Sequence, residues 1–115
     1  MSIKKHLDKI VEVLENKKAV DIKIINIENV STLADYFVIC SGTSTTHIRT
    51  LVDELKQKMD EYGLRFLRKE GYNNAKWTLI DFGDIIVHIF HEEDRQFYDL
   101  ERLWSDGEYV KKSEL

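Results

Sequence analysis

Residues 77–90, WTLIDFGDIIVHIF, restrict the fold more than any other stretch of the chain. Two runs of alternating apolar residues meet at Gly83-Asp84, and Gly-Asp between such runs predicts a hairpin with a tight turn. With those two residues as the loop, Phe82 lies opposite Ile85, Ile80 opposite Val87, and Thr78 opposite Ile89. Successive side chains on a strand point to opposite faces, so the other face pairs Asp81 with Ile86, Leu79 with His88, and Trp77 with Phe90. The first face is ordinary core. The second mixes two large aromatics, a leucine, a histidine and a carboxylate, a set awkward to bury and well suited to docking. The function is expected there, with Trp77, Leu79, His88 and Phe90 on one side of the sheet and at least partly open to solvent.

The rest of the chain supplies what such a hairpin packs against. Ile3, Leu7, Ile10, Val11 and Leu14 recur at helical spacing, predicting an amphipathic helix of about four turns with Ser2 as its N-cap. Residues 20–27 are β-branched and read as a strand. Residues 34–41, ADYFVICS, are almost wholly apolar, as in a strand covered on both faces. Gly42 ends it, and the hydroxyls of residues 43–46 can cap a second helix. That helix runs to about Tyr62, with Ile48, Leu51, Val52, Leu55 and Met59 on one stripe and Gly63 as its C-terminal cap. Residues 64–68 form a short third strand and 71–74 a turn before the hairpin. Phe97-Tyr98 and residues 100–104 make a short helical or irregular tail. This α-β-β-α-β-β-β order predicts an α/β fold in a single domain spanning residues 1–115, built on a mixed five-stranded sheet with helices packed on it. A chain of 115 residues can bury one real core and little more.

Composition narrows the function classes. One cysteine, Cys40, excludes an internal disulfide and fits a reducing compartment. The first 18 residues carry interspersed charge with no apolar signal region, and no apolar run is long enough to span a membrane. A cytoplasmic location is expected. Net charge is −4, which argues against a protein whose main task is gripping phosphate backbone. The charge is concentrated: residues 92–108 hold seven acids against Arg95 and Arg102, a local balance of −5. An acidic, aromatic segment fits a basic protein partner, although a solvated tail has the same composition. Within it, Phe97 and Leu100 fit the closing of the core. Tyr98 and Trp104, with polar tips, fit a rim shared with a partner, as do the acids Asp99 and Glu101.

Several sites of chemistry are suggested and then weakened by geometry. SGTST, between a strand and a helix, invites a phosphate cradle, but it matches neither GxxxxGK[ST] nor GxGxxG and has no lysine in position. A helix start that needs a flexible entry and capping hydroxyls explains it better. His88, His91, Glu92, Glu93 and Asp94 resemble a metal cluster, yet residues three apart on a strand face opposite ways. Asp81 and Asp84 flank the hairpin turn and are more simply turn formers than a two-carboxylate metal site. Cys40 lies in a buried strand without a base beside it. No metal, cofactor or catalytic residue is implied; the reading is a binding protein, the alternative a nucleotide-binding or nucleotidyltransferase-like enzyme using SGTST with Asp81 and Asp84.

The blocks ADYFVICSGTS (residues 34–44), Glu70-Gly71, W-x-L-x-D-x-G-D-x-x-V-H-I-F (77–90) and R-x-F-Y-D-L-E-x-L-W (95–104), with Ala19 and Asp21-Ile22 matching an opening A-x-D-I, resemble the ribosomal silencing factor family, also called Iojap-like proteins. The turn at Asn73-Asn74 departs from the pattern. The resemblance implies a nucleotidyltransferase-like fold without the catalytic carboxylates of the active enzymes. It also implies a repressor that binds the large ribosomal subunit through large-subunit protein fourteen and blocks joining of the small subunit when nutrients are scarce. The contact surface expected is Trp77, Leu79, Asp81, His88 and Phe90 from the hairpin with Tyr98, Asp99, Glu101 and Trp104 from the tail, with little direct RNA contact. An apolar face of this size would also let two copies pair as a homodimer when no partner is present.

Overall fold

The computed structural model describes residues 3–95, 107–111 and 115. Helix α1 (Ile3–Asn16) buries Leu7, Ile10, Val11, Val13 and Leu14: four of the five residues expected from spacing together with Val13, while Ile3 is partly buried against the same core. The chain reverses at Lys18, which adopts a left-handed backbone, and the Ala19 N–H donates to the Leu14 carbonyl at 2.9 Å. Strand β1 (Val20–Asn26) then pairs antiparallel with β2 (Tyr36–Gly42). Helix α2 (Thr45–Glu61) returns over the sheet with Ile48, Leu51, Val52, Leu55 and Met59 buried. Gly63, just past its end, takes the left-handed conformation, as the position after a helix often does.

Strands β3 (Arg68–Glu70), β4 (Trp77–Asp81), β5 (Ile85–His91) and β6 (Glu108–Tyr109) complete a mixed sheet of six strands in the order β3-β4-β5-β2-β1-β6. Only the β2–β5 pair is parallel, with Val38 beside Val87 and Ile39 beside His88. The five-strand expectation fell one short because β6 is a two-residue pairing of Ile25 and Asn26 with Tyr109 and Glu108, too short for any alternation to register. The third strand also lies later than its apolar pattern suggested. Leu64 and Phe66 pack against the core without joining a ladder, and pairing with β4 begins where the Leu67 N–H meets the Asp81 carbonyl.

The helices α1 and α2 cover one face of the sheet. Ile24, Tyr36, Val38 and Cys40 from β1 and β2 join Ile80, Phe82, Ile85, Val87 and Ile89 from the hairpin beneath them. Each aliphatic side chain fully buried there contributes about 1.5–3 kcal/mol, so this face supplies most of the driving force for folding. No helix among the described residues is long and apolar enough to cross a membrane.

The connection into β4 is held from both sides. Arg49 on α2 donates to the Asn73 carbonyl at 2.6 Å, and the Tyr72 hydroxyl donates to the Asp53 carboxylate at 3.1 Å. The Ala75 N–H closes the turn on the Gly71 carbonyl at 2.9 Å. Gly71 has φ +77, and a Cβ there would collide with the Trp77 carbonyl. Gly71→Ala should therefore destabilise the protein by about 2 kcal/mol or more, measured by denaturant unfolding, since backbone strain and a backbone clash act together.

Candidate docking face

The hairpin has the register read from its turn. Trp77 pairs with Phe90, Thr78 with Ile89, Leu79 with His88, Ile80 with Val87 and Asp81 with Ile86. The loop is closed by the Phe82 N–H on the Ile85 carbonyl at 2.9 Å, with Gly83 at φ +95. Asp81 stabilises the turn directly: its Oδ1 accepts the Gly83 N–H at 2.7 Å, while Oδ2 accepts from Arg68 Nε at 3.3 Å. Both carboxylate oxygens are thus engaged. Asp84 contributes through its backbone, its carbonyl accepting the N–H groups of Asp35 and Tyr36 at 2.9 and 3.1 Å.

Opposite the helices lies the second face. Phe90 and Ile86 of β5 join Ile25, Phe37 and Ile39 of β1 and β2, together with Ile27 and Ala34, and the half-buried Trp77 and Leu79 pack against this cluster. The expectation of solvent access holds for Trp77 and Leu79 and fails for two of their neighbours. His88 is 3% exposed and Phe90 0%. The reason lies in side-chain packing: Phe37 packs edge-to-face on His88 (centroids 4.6 Å apart), and Trp77 stacks on Phe90 (5.1 Å). Trp77, Leu79 and Asp81, on β4, are the hairpin residues of this face that stay half-buried.

Two residues of the face were missed by sequence reasoning. Arg68 pairs across from Asp81 and Glu70 from Leu79, and Arg68 Nη1 donates to Glu70 Oε1 at 3.0 Å, making a charged border along β3. Placing the third strand at residues 64–68 hid this. The signal was available in the charged run Arg68-Lys69-Glu70, a short edge strand of the kind that protects a sheet from unwanted pairing.

Trp77 Nε1 donates to His88 Nδ1 at 3.1 Å. An indole nitrogen only donates, so Nδ1 is the unprotonated atom and the imidazole proton sits on Nε2. Nε2 is buried and has no hydrogen-bond partner. Burial pushes the imidazole pKa down to about 3.

Beyond β5 the chain is tied back before the tail begins. Arg95 Nη1 donates to the Asp21 carbonyl at 2.7 Å and to Ser41 Oγ at 3.0 Å, at the point where the β1–β2 register shifts and Asp21 takes φ +49. Residues from three separate sequence blocks meet here. Tyr98, Asp99, Glu101 and Trp104, with Phe97 and Leu100, lie outside the described residues, as does Ser2.

The other constellations resolve into structural roles. Ser44 is the N-cap of α2, its Oγ accepting the His47 N–H at 3.0 Å. The Thr43 N–H donates to His47 Nδ1 at 2.9 Å, and His47 Nε2 lies 2.8 Å from the Lys17 carbonyl. A Cβ on Gly42 would stand 2.6 Å from Ile48 Cγ1, so the glycine serves the close approach of α2 to β2. Cys40 is fully buried and its thiol is pushed up to about 12, which keeps it unreactive. Among the described residues no three His, Cys, Asp or Glu side chains converge as metal ligands.

This sheet face combines an aromatic bed, the half-buried Trp77 indole and a carboxylate hydrogen-bonded through both oxygens. The family described as "Ribosomal silencing factor during starvation" matches residues 1–115, and the chain belongs to it. It is 40% identical over 111 residues to the ribosomal silencing factor RsfS of Halalkalibacterium halodurans, covering 96% of this chain and 95% of that protein. It is 34% identical over 102 residues to the mouse protein named mitochondrial assembly of ribosomal large subunit protein 1, covering 86% of this chain and 45% of that one. A crystal structure of a Chromobacterium violaceum protein superposes with a TM-score of 0.88 at 28% identity, covering 91% of this chain and 88% of that one. The family is regulatory, non-enzymatic and ribosome-associated, acting on translation.

His88 carries a pH signature. Its folded pKa of about 3 lies below the ordinary 6.5, so the unfolded chain takes up a proton that the native state refuses. The stability that this supplies is complete above about pH 6.5 and is lost as pH falls toward 3, by up to about 1.4 kcal/mol per pH unit. His88→Phe should flatten that part of the stability–pH curve, as measured by denaturant unfolding between those limits.

Proposed function

We propose that this chain represses translation by docking its Trp77–Leu79–Asp81 edge on the large ribosomal subunit and obstructing the joining of the small subunit when nutrients are limiting. The observation that carries the reading is the half-buried Trp77 and Leu79 packed on a bed of buried side chains at one edge of a sheet face. Such an arrangement holds a large apolar anchor in place before the partner arrives, which is the form binding hot spots take. The whole chain, residues 1–115, acts as one silencing-factor domain in the cytoplasm.

The contact is a basic protein of the large subunit, large-subunit protein fourteen, rather than ribosomal RNA. Net charge of −4 and the acid-rich stretch of residues 92–108 support a basic protein surface, because the same charge repels phosphate. The name of the mouse relative, which speaks of assembly of the large ribosomal subunit, supports the choice of subunit. Tyr98, Asp99, Glu101 and Trp104 extend the contact from the tail. Free in solution, the same apolar edge allows two copies to pair.

Cosedimentation with isolated large and small subunits tests this directly. The protein should pellet with large subunits only and reduce the yield of joined ribosomes. Trp77→Ala should weaken large-subunit binding by about 2 kcal/mol or more. An unchanged affinity with a lower melting temperature would assign Trp77 to the core and remove the proposed edge.

Charge provides an independent check. Affinity should fall as salt rises, mainly through a slower association rate, and Glu101→Lys should reproduce the high-salt behaviour at low salt. Salt-independent binding would leave the hairpin edge acting alone.

A further inference from the structure

The buried imidazole beneath the docking edge is costly as plain core. Its Nε2–H has no hydrogen-bond partner, and its edge-to-face packing with Phe37 offers no more than a weak ring contact. A phenylalanine or leucine at position 88 would fill the same space without stranding a donor. What a histidine supplies and those residues cannot is an acceptor at Nδ1, 3.1 Å from the indole nitrogen of Trp77. Backbone acceptors nearby are committed to the β4–β5 and β2–β5 ladders. Two of the contacts of Trp77 constrain it in different ways: stacking on Phe90 with an interplanar angle of 27° limits tilt, and a directional hydrogen bond to His88 limits rotation within that stack.

We propose that His88 is a positioning residue that does not touch the ribosomal partner but locks the Trp77 indole in the one orientation in which it docks. This rests on the reading of Trp77 as an anchor for large-subunit binding. Without that directional bond the half-buried indole has more orientations to lose on binding, and the cost of ordering it appears as lost affinity. The arrangement explains why β5 places an imidazole where burial strands its second nitrogen: the fold gives up stability at His88 to hold the ring of Trp77.

The test uses the full chain, isolated large subunits and three variants. His88→Phe keeps an aromatic ring and removes the acceptor. Its melting temperature should equal or exceed that of the parent, since an unpaired buried donor is gone. The Trp77 indole N–H proton resonance, identified by its absence in Trp77→Phe, should move upfield as its hydrogen bond is lost. Affinity for large subunits should fall about fivefold to tenfold, the range expected for one side chain ordered at binding. Trp77→Phe has no indole donor, so adding His88→Phe to it should cost no further affinity. His88→Leu, smaller and also without an acceptor, serves if the phenylalanine overpacks and unfolds the chain.

Wild-type affinity in the folded His88 variants, while Trp77→Ala binds poorly, overturns the positioning role and leaves the docking edge intact. Wild-type affinity in Trp77→Ala overturns the edge itself. An equal loss from His88→Phe in the parent and in the Trp77→Phe background would mean that His88 acts by some route other than Trp77, and would also overturn the inference.

Discussion

Everything on the docking side depends on the parallel pairing of β2 with β5. That pair puts β5 in the interior of the sheet, with the hairpin partner β4 on one side and β2 on the other. Its residues are consequently buried from Ile85 through Phe90, on both faces alike. A hairpin standing alone would show one wet face. Inserted beside β2, the same hairpin has a buried inner strand and an outer strand that alternates between buried and half-buried positions. The accessible side chains of the proposed docking face lie on β4, and β5 lies beneath them as packed core.

The two faces of the sheet divide the work of the molecule. Beneath the helices, aliphatic side chains from every long element interlock and supply the stability. On the other side, Phe37, His88 and Phe90 form a bed against which Trp77 rests. Rigidity there is worth more than burial, because a contact surface that is already ordered loses less entropy when it binds. Asp81 belongs to the same logic. Its carboxylate fastens the turn through Gly83 and the border strand through Arg68, so its charge is spent inside the protein on shape.

The segment SGTST shows how a motif-like string can be fully explained by packing. Each of its demands is local: a hydroxyl for the first turn of α2, and a residue without a side chain where Ile48 approaches β2. His47 then joins this corner to the end of α1 through the Lys17 carbonyl. The Thr43 and His47 N–H groups are taken up by side chains of this corner.

Local pattern determined a good deal. The alternation on either side of Gly83-Asp84 set the hairpin register and the membership of its two faces, because a period of two admits no half-step and a tight turn leaves no slack. The helical stripes of α1 and α2 were equally readable from spacing, and the family from its ordered blocks. Tertiary structure alone decided which members of the second face stay accessible. The packing of Phe37 on His88 comes from β2, a neighbour nearly fifty residues earlier in the chain, and no periodicity within the hairpin records which strand will lie beside it. The same holds for β6, for the true position of β3, and for the meeting of Asp21, Ser41 and Arg95. Each is a pairing between distant segments, and its energy exists only once the chain has closed the loop that brings them together.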